Sequence, residues 1–525
     1  MPDLAFFISE KSLTLEQKIG QVMLIGFDGL TVDAELRRMV SEYHIGGVIL
    51  FARNVQSPQQ VAALTNYLQK LAIESSNPGL FIAIDQEGGR VARLTEDKGF
   101  TEFPSAMALT ATGDPQNAYR VAAAMAAEMR AVGINVDFAP DLDVNNNPAN
   151  PVIGIRSFSS DPTTVAEYGP AFAKGLQENG ILAFGKHFPG HGDTGIDSHI
   201  DLPLVPYNRE RLDQVELVPF KAAIDADFAG IMSAHVTFPA IDPTPGLAAT
   251  LSRPVLTGLL REELGFNGLI VTDSLEMGAL AAKGYPPQVG APLALAAGAD
   301  LLLFNRDHAM HREAFVSLVQ AVKDGKISEG QLDDSVERIL QMKKRFGLLK
   351  PTPVEVEAAA SSVITMEHHL ALSRELAQKA ITLVRDPQGL IPLKSAIAPL
   401  VVETSAVRDL TKYLGLSGTT MTIDAQPSSI QIADVINTAQ DKRIVIIPVD
   451  DLNSNTNQLK LVQDLLDAGN PVIVIAHRNP FDVALLPEAV TILITYGFNP
   501  PIREALADVL SGKIEPSGVL SVTLP

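Results

Sequence analysis

Short apolar segments recur along the first two thirds of the chain, and none of them alternates cleanly between apolar and polar residues. Each segment is rich in Val, Ile, Leu, Phe or Ala, a composition typical of parallel strands that are buried on both faces. The pattern predicts eight strands, at Gln21–Gly26, Ile45–Leu50, Leu80–Ile84, Ile134–Phe138, Ile181–Phe184, Gly230–Ala234, Leu269–Thr272 and Asp300–Phe304.

Helical patterns separate these strands. Apolar residues recur three and four positions apart in Pro58–Ala72 and in Gln116–Val132, as they do on the buried face of a helix. Thr14 and Gln17 have the spacing of a capping box, which opens the first helix. Alternating strands and helices favour a parallel sheet, and eight such strands favour a closed barrel. We therefore predict an α/β fold with a (β/α)8 TIM barrel over residues 1–350.

The remaining third of the chain is expected to form a second domain, because 525 residues are too many for one ordinary core. Pro351 and Pro353 stop the preceding helix and indicate a linker over residues 351–356. Residues 357–525 are predicted to form a smaller α/β sandwich domain with a helix at Gln458–Ala468. Its strands are expected near Ile381–Val384, Leu400–Val402, Ile444–Val449, Val472–Ile475 and Thr491–Thr495.

Polar residues directly follow six of the eight predicted barrel strands. In strand order, they are Asp85, Asp141, Lys186 with His187, His235, Asp273 and Asn305. The carboxyl ends of barrel strands converge on one face, and barrel enzymes build their active sites there. Any one of these residues could be an ordinary loop residue, but polar residues at six strand ends on one rim predict a functional site.

Composition narrows the classes of function. The chain carries 41 Lys and Arg against 61 Asp and Glu, a formal net charge of −20, which disfavours nucleic acid and anionic membrane surfaces as partners. The absence of cysteine excludes disulfides, zinc–thiolate sites and cysteine nucleophiles. The absence of tryptophan argues against a long polysaccharide cleft but not against a pocket for one or two sugars.

The amino-terminal residues contain neither a basic segment nor a long apolar segment, and no apolar run in the chain reaches a membrane-spanning length. We therefore expect a cytoplasmic protein, although an exported form with its signal removed would look the same. A monomer or a homodimer is expected, without a cofactor.

The densest cluster of reactive side chains lies between Lys186 and His199, where three histidines and two aspartates fall among several glycines. The spacing of its glycines matches the dinucleotide-binding pattern, but Asp197, Ser198 and His199 follow where that pattern needs a helix. A metal site is the second alternative. It is disfavoured because no ligand pair on a regular element is present, unless His187 and His191 form one.

General acid–base catalysis is the interpretation that the cluster favours. Asp197 lies two residues before His199, and a carboxylate at that spacing can select the tautomer of the imidazole and raise its basicity. Asp273 ends an apolar strand, where a carboxylate is costly to desolvate unless it is used or paired. A helix N-cap is the alternative role for Asp273, and a purely structural role stays open for His191.

Several motifs together resemble those of glycoside hydrolase family 3, and in particular its β-N-acetylglucosaminidases. They are Asp85-Gln-Glu-Gly-Gly-Arg-Val-Ala-Arg93, Lys186-His-Phe-Pro-Gly-His-Gly with Asp197-Ser-His199, Val271-Thr-Asp273-Ser, and the closing Pro516-Ser-Gly-Val-Leu-Ser-Val-Thr-Leu-Pro525. The resemblance covers nearly the whole chain. It implies a two-domain enzyme that cleaves terminal β-linked N-acetylglucosamine with retention of configuration.

The resemblance also implies roles for individual residues. Asp273 matches the nucleophile, and His199, supported by Asp197, matches a histidine general acid/base. The residues that match sugar-binding positions are Asp85, Arg93, Arg156, Lys186 and His187. Arg156 lies in an otherwise small or apolar stretch and is therefore expected to need a partner there.

Four functions remain open at this point. The first is hydrolysis of N-acetylglucosaminides from muropeptides, as in peptidoglycan recycling, or from chitin-derived saccharides. The second is a related family 3 activity, either a β-glucosidase or a phosphorylase that transfers the sugar to phosphate. The third is metal-dependent hydrolysis, and the fourth is sugar binding without catalysis.

Overall fold

The computed structural model describes residues 13–196, 201–359, 366–394, 398–404, 407–414, 418–440 and 443–524. Within these ranges no helix is both long enough and apolar enough to cross a membrane.

Eight parallel strands form the first sheet, in the order β7-β6-β5-β4-β3-β2-β1-β8. The sheet closes on itself where Val271 of β7 bridges to Leu301, directly before β8. The predicted barrel and all eight strands are therefore confirmed. The strands are β1 Met23–Ile25, β2 Gly47–Leu50, β3 Phe81–Ile84, β4 Val136–Asp137, β5 Leu182–Phe188, β6 Gly230–Ser233, β7 Leu269–Thr272 and β8 Leu302–Phe304.

Helices connect the strands, and the first of them begins as predicted. The Thr14 side chain accepts a hydrogen bond from the Gln17 amide while the Gln17 side chain accepts one from the Thr14 amide. The helices of this domain are Leu15–Gln21, Ala34–Ser41, Pro58–Glu74, Ala106–Ala111, Pro115–Ala131, Pro162–Glu178, Arg209–Gln214, Val218–Asp225, Gly278–Ala282, Pro287–Ala297, His308–Lys323 and Glu329–Arg345, together with a π-helical segment at Pro254–Glu263.

Strand β5 is longer than predicted and continues to Phe188, so Lys186 and His187 lie within the strand and not after it. The predicted strand ended before these residues because they are charged or polar. The strand continues because the Lys186 backbone pairs with the segment that follows β4, its amide donating to the Pro140 carbonyl at 3.2 Å. The charge of the Lys186 side chain is accommodated because it pairs with carboxylates inside the barrel mouth.

The second sheet has six strands in the order β11-β10-β12-β13-β14-β9, and β9 is antiparallel to β14. Helices pack on both of its faces, as predicted for a sandwich. The strands are β9 Thr382–Arg385, β10 Leu400–Thr404, β11 Thr419–Ile423, β12 Val445–Val449, β13 Val472–Ala476 and β14 Thr491–Ile494, and the helices are Glu367–Ala380, Leu410–Leu414, Ser429–Thr438, Thr456–Asp467 and Pro500–Leu510.

Strand β11 was not predicted. It lies at the edge of the sheet and consists largely of threonine, half-buried or exposed except at Ile423, so it lacks the apolar run by which the other strands were found. The domain boundaries at residues 350 and 357 stay a prediction.

The two domains share an apolar contact. The barrel helix Ala106–Ala111 is fully buried, and Met107, Ala108 and Ala111 pack into one core cluster of the second domain together with Ile155. Hydrogen bonds flank this contact. The Ser105 hydroxyl donates to the Tyr496 carbonyl at 2.6 Å, so the second domain is held close to the carboxyl ends of the barrel strands.

Asp300 is fully buried at the point where the barrel closes. Its carboxylate accepts from the Ile270 amide at 2.8 Å and pairs with Arg261 and with Arg338, the latter at 2.9 Å. Asp300→Asn removes the charge that these cations face and is expected to lower the free energy of unfolding by about 3 kcal/mol. Urea denaturation followed by circular dichroism measures the change.

Asp227→Asn is the matched control, because Asp227 is exposed and pairs with Arg345 on the surface. Its φ of 53° is one that asparagine adopts readily, so we expect a change of about 0.5 kcal/mol or less. Equal losses in the two variants would contradict the structural role of Asp300.

Candidate active site

A cavity of about 230 Å³ opens at the carboxyl ends of the barrel strands. Drug-sized ligands occupy pockets of roughly 300–1,000 Å³, so this cavity suits a smaller molecule such as a single sugar ring. Its charged and polar lining residues include Asp85, Glu87, Arg93, Arg156, Lys186, His187, His191 and Asp273, and its apolar lining residues include Phe51, Val91, Met232 and Met277.

One wall of the cavity is a network of three cations and two carboxylates. Arg156 binds Glu87 through two hydrogen bonds of 2.8 Å each. Lys186 lies 2.6 Å from Glu87 Oε1 and 2.9 Å from Asp85 Oδ1, and Arg93 lies 3.5 Å from the other Asp85 oxygen. Lys186 thus connects the strand end that carries Asp85 with the Glu87–Arg156 pair.

Burial and ion pairing shift the pKa values of Glu87 and Lys186 in opposite directions, and the effect of ion pairing is the larger. Burial raises the pKa of Glu87, but the neighbouring Arg156 and Lys186 outweigh it and hold the pKa below its usual value. Burial lowers the pKa of Lys186, but Asp85 and Glu87 outweigh it and raise the pKa. Glu87 and Lys186 therefore stay ionised at neutral pH, and the wall presents a charged acceptor and a charged donor to a ligand.

His187 is held by a buried carboxylate beneath the cavity. Its Nδ1 lies 2.7 Å from Asp143 Oδ2, and the same carboxylate accepts from the amides of His187 at 3.3 Å and His191 at 2.6 Å. Burial and the nearby Arg156 lower the pKa of His187 to about 4. At neutral pH the ring is therefore uncharged, with its Nδ1–H donating to Asp143 and its Nε2 left as an acceptor.

A second carboxyl, Asp141, lies beside Asp143, and both are buried. Burial and the charge of Asp143 raise the pKa of Asp141 to about 8, so this pair holds one proton at neutral pH. Asp141, Asp143 and His187 lie close enough together to hold a cation. The Arg156 guanidinium lies 3.5 Å from Asp141 Oδ2, however, and already supplies a positive charge at that position.

Asp273 directly follows β7 and lines the cavity. Burial raises its pKa, but His235, His187, the Ser274 amide and Lys186 together outweigh burial and lower the pKa below its ordinary value. The Ser274 amide donates to Asp273 Oδ1 at 2.7 Å. Asp273 is therefore an ionised carboxylate facing a small cavity, as a nucleophile requires.

His235 supports the turn that carries Asp273. Its Nε2 lies 2.9 Å from the Ser274 carbonyl oxygen, and its Nδ1 lies 2.9 Å from the Thr250 hydroxyl. The ring is 1 % exposed and does not line the cavity. His235 was predicted from the sequence to lie on the active-site rim. In the structure it lies behind the cavity and holds the Ser274 carbonyl.

Six residues that were assigned a catalytic or sugar-binding role from the sequence line this one cavity: Asp85, Arg93, Arg156, Lys186, His187 and Asp273. Their individual roles stay predictions. His191 and Asn305, which were named without such a role, line the cavity as well. Asp197 and His199, the predicted acid/base pair, lie outside the described residues.

Two further residues of the site, Glu87 and Asp143, were not singled out from the sequence. Glu87 lies inside the Asp85–Arg93 motif, and the expected need of Arg156 for a partner was the signal that could have found it. Asp143 carries no such signal, because its partners His187 and His191 are more than 40 residues away along the chain.

Because Asp141 keeps its proton in the folded state, we expect the free energy of unfolding to depend on pH. The folded state retains a proton that the unfolded chain releases near pH 4, so stability contributed by this group falls as the pH rises from about 4 to about 8. Asp141→Asn removes the titration, and the variant should gain stability relative to the wild type across that window, by at most ~1.4 kcal/mol per pH unit. Urea denaturation at several pH values measures the difference, and parallel curves would rule out the raised pKa.

Comparisons with known proteins agree with this geometry. Residues 14–342 match the model of the glycosyl hydrolase family 3 N terminal domain. The chain is 34% identical to a β-hexosaminidase A from Pseudoalteromonas piscicida, over 98% of this chain and 97% of that protein. It is 29% identical to a β-N-acetylglucosaminidase/β-glucosidase from Cellulomonas fimi, over 95% of this chain and 92% of that protein.

A solved structure extends the similarity to both domains. A glycoside hydrolase family 3 β-N-acetylglucosaminidase from Paenibacillus sp. str. FPU-7 superimposes with a TM-score of 0.91 at 40% identity, covering 98% of this chain and 99% of that one. With the barrel, the second domain and the cavity in place, the chain belongs to glycosyl hydrolase family 3 and is a glycoside hydrolase.

Proposed function

We propose that this glycoside hydrolase is a retaining exo-β-N-acetylglucosaminidase that removes terminal β-linked N-acetylglucosamine from small saccharides derived from muropeptides or chitin. The observation that carries the proposal is an ionised Asp273 in a cavity of about 230 Å³. A cavity of that size favours one terminal sugar over an internal segment of a polymer. The names of the relatives from Pseudoalteromonas and Paenibacillus support the N-acetylated sugar.

In the first step, the Asp273 carboxylate attacks the anomeric carbon and the glycosidic carbon–oxygen bond breaks. The leaving oxygen takes a proton from the His199 imidazolium, and a glycosyl ester forms on Asp273. In the second step, His199 accepts a proton from water, whose oxygen attacks the same carbon and releases Asp273. Two displacements on one carbon retain its configuration. The assignment of His199, with Asp197 as its support, rests on the sequence motif.

The charged wall of the cavity that Asp273 also lines orients the sugar. Asp85 and Glu87 accept hydrogen bonds from sugar hydroxyls, and Lys186 and Arg156 donate charge-assisted ones. The neutral His187 offers its Nε2 as an acceptor. Because these groups are already paired with one another, the wall is preorganised before the sugar arrives, and little reorganisation accompanies binding.

Substrate preference provides the first test of this proposal. We expect kcat/KM for an aryl β-N-acetylglucosaminide to exceed that for the matching β-glucoside by at least about tenfold, a difference of ~1.4 kcal/mol. The assay uses phosphate-free buffer and is repeated with chelator and with added phosphate. A glucoside preference would overturn the sugar assignment. Loss of activity in chelator would favour metal-dependent hydrolysis, and a sugar 1-phosphate as the product would favour phosphorolysis.

Trapping the covalent intermediate tests Asp273. His199→Ala should accumulate the glycosyl-enzyme with an activated aryl N-acetylglucosaminide, because the second step lacks its base, and intact mass spectrometry would detect one added sugar residue. Asp273→Asn should lose activity on the order of 10⁴-fold or more and form no adduct, while Asp227→Asn keeps wild-type activity. An adduct in the Asp273→Asn variant would place the nucleophile elsewhere.

A further inference from the structure

The second domain contacts the barrel next to the cavity through one loop, residues 145–156, which we name the bridging loop. The Asn479 side-chain amide donates to the Pro148 carbonyl at 3.0 Å, and the Asn453 side-chain amide donates to the same carbonyl at 3.3 Å. The Arg478 guanidinium donates to the Pro151 carbonyl at 3.3 Å. Three side chains of the second domain thus hold the backbone of this loop.

The bridging loop in turn contacts the histidine loop, which we define as residues 189–196. The Asn150 side-chain Nδ2 donates to the carbonyls of His191 and Gly192, each at 2.9 Å. Its Oδ1 accepts from the amides of Val152 and Ile153 at 2.9 and 2.8 Å. Asn150 is 9 % exposed, and its amide joins the two loops while also shaping its own.

The contact between the two loops leaves little room for movement. A Cβ atom added at Gly192 would lie 1.9 Å from the carbonyl oxygen of Val144, directly before the bridging loop. The cleft between the bridging loop and the second domain has a volume of only about 10 Å³, at most the room of one water. A displacement of the second domain would therefore move the bridging loop, and the histidine loop with it.

Each of the two loops contributes a residue to the lining of the cavity. The bridging loop ends at Arg156, whose guanidinium lines the cavity, and the histidine loop contributes His191 to the same lining. The histidine loop leads along the sequence to His199, three residues after its last residue, Ile196.

We infer that the second domain takes part in the reaction by positioning the histidine loop, with Asn479 holding the bridging loop and Asn150 acting as the positioning residue between the two loops. The inference rests on the proposed function, in which His199 protonates the leaving oxygen. Misplacing a catalytic group by about 1 Å can cost on the order of 10²-fold in rate. Neither asparagine lines the cavity, so their effect is exerted through the loops.

Asn150→Asp separates the contact of Asn150 with the histidine loop from its contacts within the bridging loop. A carboxylate still accepts from the Val152 and Ile153 amides, but it cannot donate, and it repels the His191 and Gly192 carbonyls. Asn479→Asp is the second variant. It keeps the acceptor for the Phe481 amide at 3.2 Å and loses the hydrogen bond to Pro148.

Asn470→Asp is the matched control. Asn470 is also a buried asparagine whose amide donates to two carbonyls, those of Ala439 and Arg443, but both belong to the second domain. It should lower the melting temperature without changing turnover at a temperature where every variant is folded. Melting curves for all variants select that temperature.

The readout is the dependence of kcat and KM on the leaving group. A poor leaving group such as phenol needs a proton from the general acid, whereas 2,4-dinitrophenol does not. We expect Asn150→Asp and Asn479→Asp to lower kcat/KM on the phenyl N-acetylglucosaminide by up to about 10²-fold and on the dinitrophenyl one by about threefold or less. The double variant should lose no more than the stronger single variant, because both act through one chain of contacts.

His199→Ala, measured in the same series, separates failure of this inference from failure of the proposed function. If His199→Ala shows a steep leaving-group dependence but Asn150→Asp and Asn479→Asp lose activity equally on both substrates, or behave like Asn470→Asp, the positioning role is overturned and the proposed function stands. If His199→Ala itself shows no leaving-group dependence, His199 is not the acid, and the inference fails with that assignment.

Discussion

The charge network of Lys186, Arg156, Glu87 and Asp85 is the constraint on which the rest of the site depends. Lys186 is 2 % exposed, and an isolated cation at that depth would be costly. It is retained because carboxylates lie within 2.9 Å on two sides. The same pairing brings the loop after β3, the bridging loop and β5 into contact, so one electrostatic requirement sets the shape of the cavity wall.

The ionisation of Asp273 depends on a different electrostatic balance. Asp273 stays ionised because His235, His187 and Lys186 lie nearby and the Ser274 amide donates to it, and these effects exceed the cost of burial. Beneath His187, Asp141 and Asp143 share a proton because both are buried and the charge of Asp143 disfavours a second charge on Asp141. The site therefore contains ionised carboxylates at Glu87 and Asp273 and a protonated one at Asp141, because their surroundings shift their pKa values in opposite directions.

The second domain is part of this arrangement because it packs against the carboxyl-terminal face of the barrel. The buried helix Ala106–Ala111 places barrel residues within its core, and Asn479 and Arg478 reach the bridging loop beside the cavity. The second domain thus holds a loop beside the cavity, although none of its described residues lines the cavity itself.

The amino-acid sequence was enough to predict the barrel, its eight strands and a role at the cavity for Asp85, Arg93, Arg156, Lys186, His187 and Asp273. Strands buried on both faces leave an uninterrupted apolar run, and the polar residues at their ends are adjacent to those runs along the chain. It also determined most of the second sheet, but not the edge strand β11, whose threonine-rich segment buries too little apolar surface to be recognised.

The folded chain was needed to show that Lys186 and His187 lie within β5 and that Glu87 and Asp143 belong to the site. It was needed as well to show that His235 supports the turn after Asp273 and that Asn150 joins two loops. Each of these depends on a partner distant in the sequence: Asp143 lies 44 residues before His187, and Asn479 lies 331 residues after Pro148. Local patterns of hydrophobicity report whether a side chain is buried, whereas the pKa and the hydrogen-bond partners of a buried polar group are set by neighbours that only the folded chain brings together.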